Sequence, residues 1–250
     1  MNLSEHKLND PNSGLMLVDK PSGWTSHDVV NFVRRRFGFK KVGHCGTLDP
    51  SATGLLILVV GHATKVADYL AKDHKVYRAT MTLGASTSSH DSDGDVVEEK
   101  SYAHVTEEQV RQTLGEYAGD QMQIPPMVSA VKKGGKKLYE LARKGIEIER
   151  DPRKITIHEL SINNIDLPNV DFTVDCSKGT YVRTICHDLA IQLETLGHMS
   201  LLVREKSGDF DLKDAFQIEE QLKTWEREEF IENMIPLGKF VSTKLAGINN

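Results

Sequence analysis

The segment Lys41-Val-Gly-His-Cys-Gly-Thr-Leu-Asp-Pro-Ser-Ala-Thr-Gly54 decides how the chain is read. It sets three glycines and an Asp-Pro step between a basic stretch and the apolar run 55–60. A residue before proline is pushed toward extended backbone. The glycines around Asp49 tolerate positive φ and let another chain approach closely. The product is a shaped loop presenting one carboxylate. An Asp-Pro pair standing alone is also an ordinary turn initiator, so its meaning depends on the surroundings.

Outward from that loop, the run 55–60 reads as a strand buried on both faces, and Thr64 as the cap of a short helix holding Val66, Ala67 and Leu70. Upstream, a strand over 15–18 runs into the turn Pro21-Ser22-Gly23. Ser26 then caps a helix whose apolar face is Val29, Val30, Val33 and Phe37, with Arg34, Arg35 and Arg36 crowded near its C-terminal end. Downstream, Tyr77, Ala79, Met81 and Leu83 alternate with Arg78, Thr80 and Thr82, the pattern of a half-buried strand. Thr106 with Gln109 forms a capping box for a helix that buries Val110, Leu114 and Tyr117. Strand patterns return at Ile155 and Ile157 and at Val170, Phe172, Val174 and Cys176. A longer helix follows, capped near Thr180, with Val182, Ile185, Leu189, Leu193 and Leu196 on one side. Strands and helices do not alternate as regular βαβ units, so the class is α+β in one continuous domain over 1–250. The stretch 210–233 reads as one or two exposed acidic helices.

The three cysteines, Cys45, Cys176 and Cys186, are odd in number and lack CxxC spacing, which argues against a disulfide framework and a structural zinc site. No apolar signal core precedes Pro11, and no apolar run approaches the ~20 residues of a membrane span, so a soluble cytoplasmic protein is expected. The net charge of −5 argues against a nucleic-acid binder until it is located. Residues 205–232 hold ten acidic and four basic side chains, which leaves +1 for the rest. Within that remainder Lys132, Lys133, Lys136, Lys137, Arg143 and Lys144 face only Glu140, a local basic strip that reads equally as a solvated loop and helix face. The segment Asp91-Ser-Asp93-Gly-Asp95 fails as a calcium loop, because Val96 and Tyr102 stand where Gly and Glu belong. It reads as an acidic turn on the solvent side. The glycines at Gly94 and Gly134-Gly135 match no phosphate loop.

Several segments in fixed order then resemble one family. Gly-Thr-Leu-Asp49-Pro50 is similar to the catalytic motif of the TruB family of bacterial tRNA pseudouridine synthases, and Asp19-Lys20-Pro21-x-Gly23-x-Thr25-Ser26 to its first motif. Lys75-Val-Tyr77-Arg-Ala79 resembles the tyrosine motif. Gln123-Ile-Pro125-Pro126, Ser129-Ala130-Val-Lys132 and Gly135-Lys-Lys-Leu-Tyr139 resemble the central stretch. Ser177-Lys-Gly179-Thr180-Tyr181-Val-Arg183-Thr184 is similar to the arginine motif, and Gly197-His198 with Leu202-Val-Arg204 to the last one. Together they cover about 15–210.

The resemblance implies the pseudouridine synthase fold, a mixed and mostly antiparallel sheet flanked by helices and loops with a central catalytic cleft. It implies uridine 55 in the T arm of tRNA as substrate, Asp49 as the catalytic carboxylate, Tyr77 stacked on the target base, and Arg183 paired with Asp49. His44, Tyr181 and Leu202 would surround the substrate, with Lys20 and Pro21 supporting the pocket. The chemistry fits these residue types. Pseudouridine formation breaks N1–C1′, turns the base over and joins C5 to C1′, with no redox or metal step, so no cofactor or metal is expected. A carboxylate can form a covalent adduct, by attack at C1′, by attack at C6, or it can act through a glycal. A guanidinium holds it ionised and oriented. An extruded base needs aromatic faces in place of its lost stacking. Two other classes stay open: a module that binds and remodels tRNA without turnover, and a hydrolase with an aspartyl nucleophile. The expected partner is tRNA, with neither DNA nor membrane, and the expected state is a monomer. Two departures stand out. Relatives usually carry a β-rich RNA-binding domain after the catalytic one, which here is expected to be absent, with an acidic helical segment over 211–250. Residues 86–91 also lack the Thr-Asp-Thr wording common in the family.

Overall fold

A computed structural model of the chain describes residues 4–129 and 131–248, with side chains described to residue 243. Ala130 of the central stretch and residues 1–3, 249 and 250 lie outside the described residues. The chain divides into two compact units, 1–73 with 203–250, and 74–202.

In the first unit the strands Gly14–Lys20 and Thr53–Val60 pair antiparallel, with Leu17 opposite Ile57. The second edge of Thr53–Val60 takes Val42–Cys45 antiparallel, His44 opposite Leu58, and Val203–Arg204 parallel beside Thr53 and Gly54. Alternate side chains point to opposite faces of a strand, and here both sets are apolar. Met16, Val18, Leu56, Leu58 and Val60 meet Val29, Val30, Val33 and Phe37 of the helix Ser26–Arg36. Leu15, Leu17, Leu55, Ile57 and Val59 meet Ala63, Val66, Leu70, Leu237 and Phe240. The doubly buried strand expected over 55–60 is therefore present. Each fully buried Val, Leu, Ile, Phe or Met among these side chains stabilises the fold by roughly 1.5–3 kcal/mol.

The second unit orders Lys75–Leu83, Asn169–Cys176, Arg153–Asp166 and Gly119–Gln123 as antiparallel neighbours. The first residues of the strand Gly197–Ser207 belong here as well, where Thr82 Oγ1 donates to Ser200 Oγ at 2.8 Å. Tyr77, Ala79, Met81 and Leu83 are buried while Arg78 is exposed, as the alternation predicts. The capping box of Thr106 and Gln109 opens the helix Glu107–Gly115, which buries Val110 and Leu114. The helix Val182–Gln192 buries Ile185, Cys186 and Leu189. Among the described residues no helix is long and apolar enough to cross a membrane.

Four local expectations are corrected. Thr25, not Ser26, caps its helix, accepting from Asp28 N while Asp28 accepts from Thr25 N. Thr64 lies inside a tight helical turn, Gly61–Val66, instead of opening a helix. Thr180 Oγ1 donates to Ser177 O, so Tyr181 stands at the helix start without a side-chain cap. The stretch 210–233 is not one or two exposed acidic helices. It holds the short strands Phe210–Asp211 and Phe216–Gln217 and the helical segments Ile218–Leu222 and Arg227–Glu232, and it buries Ile218, Leu222 and Phe230. Acidic residues cover its outside while these three side chains join the core.

Candidate active site

The loop 46–52 joins two antiparallel strands, Val42–Cys45 and Thr53–Val60, and its conformation is fixed from beneath by buried cations. Lys20 is fully buried, and its Nζ donates to three carbonyls: Pro21 O at 2.9 Å, Trp24 O at 2.6 Å and Pro50 O at 3.0 Å. An ammonium has three protons, so this set saturates it. Burial pushes the Lys20 ammonium down to about 8, against the attraction of the Asp49 carboxylate. Arg204, 1% exposed, donates from Nε to Leu55 O at 2.6 Å and from Nη2 to Gly46 O at 3.2 Å, so one guanidinium ties both ends of the loop. Gly54 has a φ of 97°, and a Cβ there would lie 2.5 Å from Arg204 O. No side chain fits that approach.

The helix Ser26–Arg36 is fastened to the same loop. Ser26 Oγ accepts from Leu48 N at 2.9 Å and donates to Leu48 O at 3.1 Å, and Gly23 N donates to Pro50 O at 2.9 Å. Asp49, next to Leu48, is half-buried. His44 is also half-buried; burial first, and then the Arg204 charge, lowers its imidazole below the usual histidine range, so it is neutral near pH 7. A neutral imidazole offers a flat face and one donor and one acceptor. The first unit thus gathers Lys20, Pro21, His44 and Asp49 around one loop.

The second unit carries Tyr77, Tyr181, Arg183 and Leu202. Tyr77 is 9% exposed and stands opposite Val174. Arg183 is buried, with Nη2 donating to Val128 O at 2.8 Å and Nη1 lying 3.4 Å from Asp91 Oδ2. Its guanidinium lies 5.7 Å from the Tyr181 ring centre. Gln123 holds Tyr181 at both backbone groups: Oε1 accepts from Tyr181 N at 2.8 Å and Nε2 donates to Tyr181 O at 3.1 Å. Leu202 is half-buried in the strand Gly197–Ser207.

Asp91 departs from the solvent-side reading of its turn, while Asp93 and Asp95 are exposed as expected. Asp91 is 4% exposed, accepts from Ser89 Oγ and Asp93 N, and serves Arg183 as a buried counter-ion. The sequence signal was an acidic turn beside the one loop that departs from the family's wording. Arg204 and Gln123 stood inside motif segments without an assigned role. Beside Arg183 lies a cavity of about 670 Å³ whose lining includes Val128, Thr184, Asp188 and the stacked rings of His90 and His187, 4.1 Å apart. Burial, then the neighbouring His187 and Arg183, push His90 down to about 4.

The family described as TruB family pseudouridylate synthase (N terminal domain) matches residues 34–182. The tRNA pseudouridine synthase B of Syntrophotalea carbinolica is 47% identical over 207 residues, 83% of this chain and 68% of that protein. That of Symbiobacterium thermophilum is 50% identical over 210 residues, 83% of this chain and 70% of that protein. Among solved structures, a chain of a Cbf5-Nop10-Gar1 complex superposes with a TM-score of 0.69 at 28% identity, over 92% of this chain and 61% of that one. A chain of an H/ACA RNP bound to a substrate RNA containing 2′-deoxyuridine gives 0.66 at 25% identity, over 90% and 60%. This chain spans about three fifths of the length of those solved chains. A family match across more than half of the chain, with relatives near half-identical along most of it, means that the chain belongs to the TruB family of pseudouridylate synthases.

Proposed function

We propose that this pseudouridine synthase acts as a cytoplasmic monomer on tRNA, isomerising uridine 55 of the T arm, with Asp49 as its catalytic carboxylate. The observation that carries the reading is the loop 46–52, which Lys20, Arg204 and Ser26 hold by its backbone. Preorganised placement of a reacting group removes ordering cost from the chemical step. Lys20, fixed in place by three carbonyls, attracts the Asp49 carboxylate while it is protonated, which it is at neutral pH. Asp49 then assists departure of the base from C1′ or adds to the base. The freed base turns over, C5 bonds to C1′ as any bond from the carboxylate to C1′ or C6 breaks, and the C5 proton is lost while N1 gains one, so the product is an isomer of the substrate.

Tyr77 and Tyr181 supply aromatic faces for the extruded base, His44 and Leu202 stand around the substrate, and Lys20 and Pro21 support the pocket. Arg183, oriented by Asp91, is proposed from the family resemblance as the ion-pair partner of Asp49. The test is incubation of the protein with an unmodified tRNA transcript, followed by mapping of pseudouridine. Asp49→Asn is expected to abolish product while keeping tRNA affinity within a few-fold, because the contacts that position the RNA are made by other residues and the carboxylate acts in the chemical step. Turnover by that variant, with deamidation excluded, removes Asp49 from the chemistry. Binding without product by the wild type would leave a remodelling module instead.

A further inference from the structure

We propose that the groove along the helix Ser26–Arg36 is a further RNA contact surface, seating the phosphodiester backbone of the strand that flanks the target nucleotide. This rests on the reading of Asp49 as the site of chemistry and extends it to how RNA is held. The groove encloses about 820 Å³, and its lining includes Gly23, Trp24, Phe32, Arg35 and Arg36. Its near end adjoins the loop 46–52, since Gly23 N donates to Pro50 O at 2.9 Å and Trp24 O accepts from Lys20. Arg35 stands nine residues beyond Ser26, roughly 14 Å along the helix axis. That is a reach of a few nucleotides from the catalytic loop.

Charge favours RNA as the occupant. Residues 29–48 hold Arg34, Arg35, Arg36, Lys40 and Lys41 and no acid, in a chain whose net charge is −5. All five are exposed. The helix dipole accounts for one or two cations in a last turn. Three consecutive arginines spread over roughly 200° of the helix circumference and exceed that need. Arg36 is partly engaged, donating to Trp225 O at 2.7 Å and to Glu226 at 3.3 Å. The groove's one acid, Asp28, is turned to the helix start, accepting from Thr25 N at 2.9 Å and Thr25 Oγ1 at 2.6 Å. Arginine suits phosphate by its planar fork. Trp24 and Phe32, edge to face at 5.9 Å, add a half-buried aromatic wall against which a sugar or base can lie.

The full chain is titrated with a T-arm hairpin RNA over a range of salt concentrations, as wild type, Arg35→Gln, and Arg34→Gln/Arg35→Gln. Each lost phosphate contact should weaken binding about 3- to 10-fold near 0.1 M salt and flatten the slope of log K against log salt by about 0.7–0.9. Both arginines are exposed, so melting temperatures should not move, and Arg111→Gln on a different helix should keep the wild-type slope. In a second arm, methylphosphonates replace single phosphates around the target. The wild type should lose affinity at one or two positions where Arg35→Gln loses nothing further. Unchanged slopes in both groove variants, or an equal change in Arg111→Gln, overturn the proposal. Because binding is read without turnover, absence of pseudouridine from the wild type would count against the catalytic reading alone. Absence of hairpin binding overturns both.

Discussion

Lys20 has no donor left to offer a substrate, and its burial sets a measurable dependence on pH. In the folded chain its ammonium lies at about 8, against 10.5 for an unhindered lysine. Between those values the unfolded chain keeps a proton that the native chain has released, so this group makes stability rise with pH across the window. Below pH 8 its unfavourable contribution is fully present. Urea unfolding of wild type and Lys20→Met should show the wild type gaining about 2 kcal/mol relative to the variant between pH 8 and pH 10. A flat difference would mean that Lys20 is not a buried cation beneath the loop. Asp91 is the complementary case. Removing its charge takes away the carboxylate 3.4 Å from a guanidinium that is buried with it. Asp91→Asn should therefore cost about 3 kcal/mol of stability. It should also slow single-turnover pseudouridine formation more than it weakens tRNA binding, because it frees the Arg183 fork. Equal, mild losses in both would limit Asp91 to a structural role.

The start of the helix Val182–Gln192 shows how an element borrows what its own sequence lacks. Thr180 is spent on Ser177 O, and Tyr181 has no capping side chain, so the buried Gln123 from a neighbouring strand binds the Tyr181 backbone instead. Gln123→Leu should raise amide hydrogen exchange at residues 181–185 by tenfold or more, with little change at 188–192, and should slow turnover through Arg183. Uniform protection in that helix would show that packing alone fixes it. The same contrast explains what was legible in the sequence. The box of Thr106 and Gln109 could be read because both partners lie within four residues. Thr25 and Ser26 are adjacent cap candidates, and what separates their roles is Leu48, twenty-two residues away. Arg204 was visible as part of a motif, but its two carbonyl partners sit 149 and 158 residues back, beyond any local pattern. In 210–233 the acidic majority hid Ile218, Leu222 and Phe230, whose spacing makes no sustained helical stripe. The motif residues were picked out by residue type, and the structure gathers Lys20, Pro21, His44 and Asp49 around one loop, which type alone could not show.

Across the whole molecule, charge is sorted in a way that bears on what the enzyme selects. The chain is acidic overall, yet Lys132, Lys133, Lys136 and Lys137 sit on one two-stranded hairpin, and Lys137 and Arg143 each lie 5.4 Å from the Tyr139 ring centre. Phosphate attraction is thus confined to a few strips, too little to hold RNA of any shape. On the proposed reading, selection then rests on loop shape and on the extruded base. Extrusion costs roughly a few kcal/mol, which prepositioned aromatic contacts offset only if the loop already presents the base in a defined bend. A hairpin copying the T arm should therefore react nearly as well as full-length tRNA. A linear oligonucleotide of the same loop sequence must be ordered first and should react at least tenfold more slowly. Comparing kcat/KM for the hairpin and the linear RNA at one salt concentration measures this directly. Equal values would place recognition in sequence and electrostatics, and the local sorting of charge would then have to supply far more binding than these strips allow.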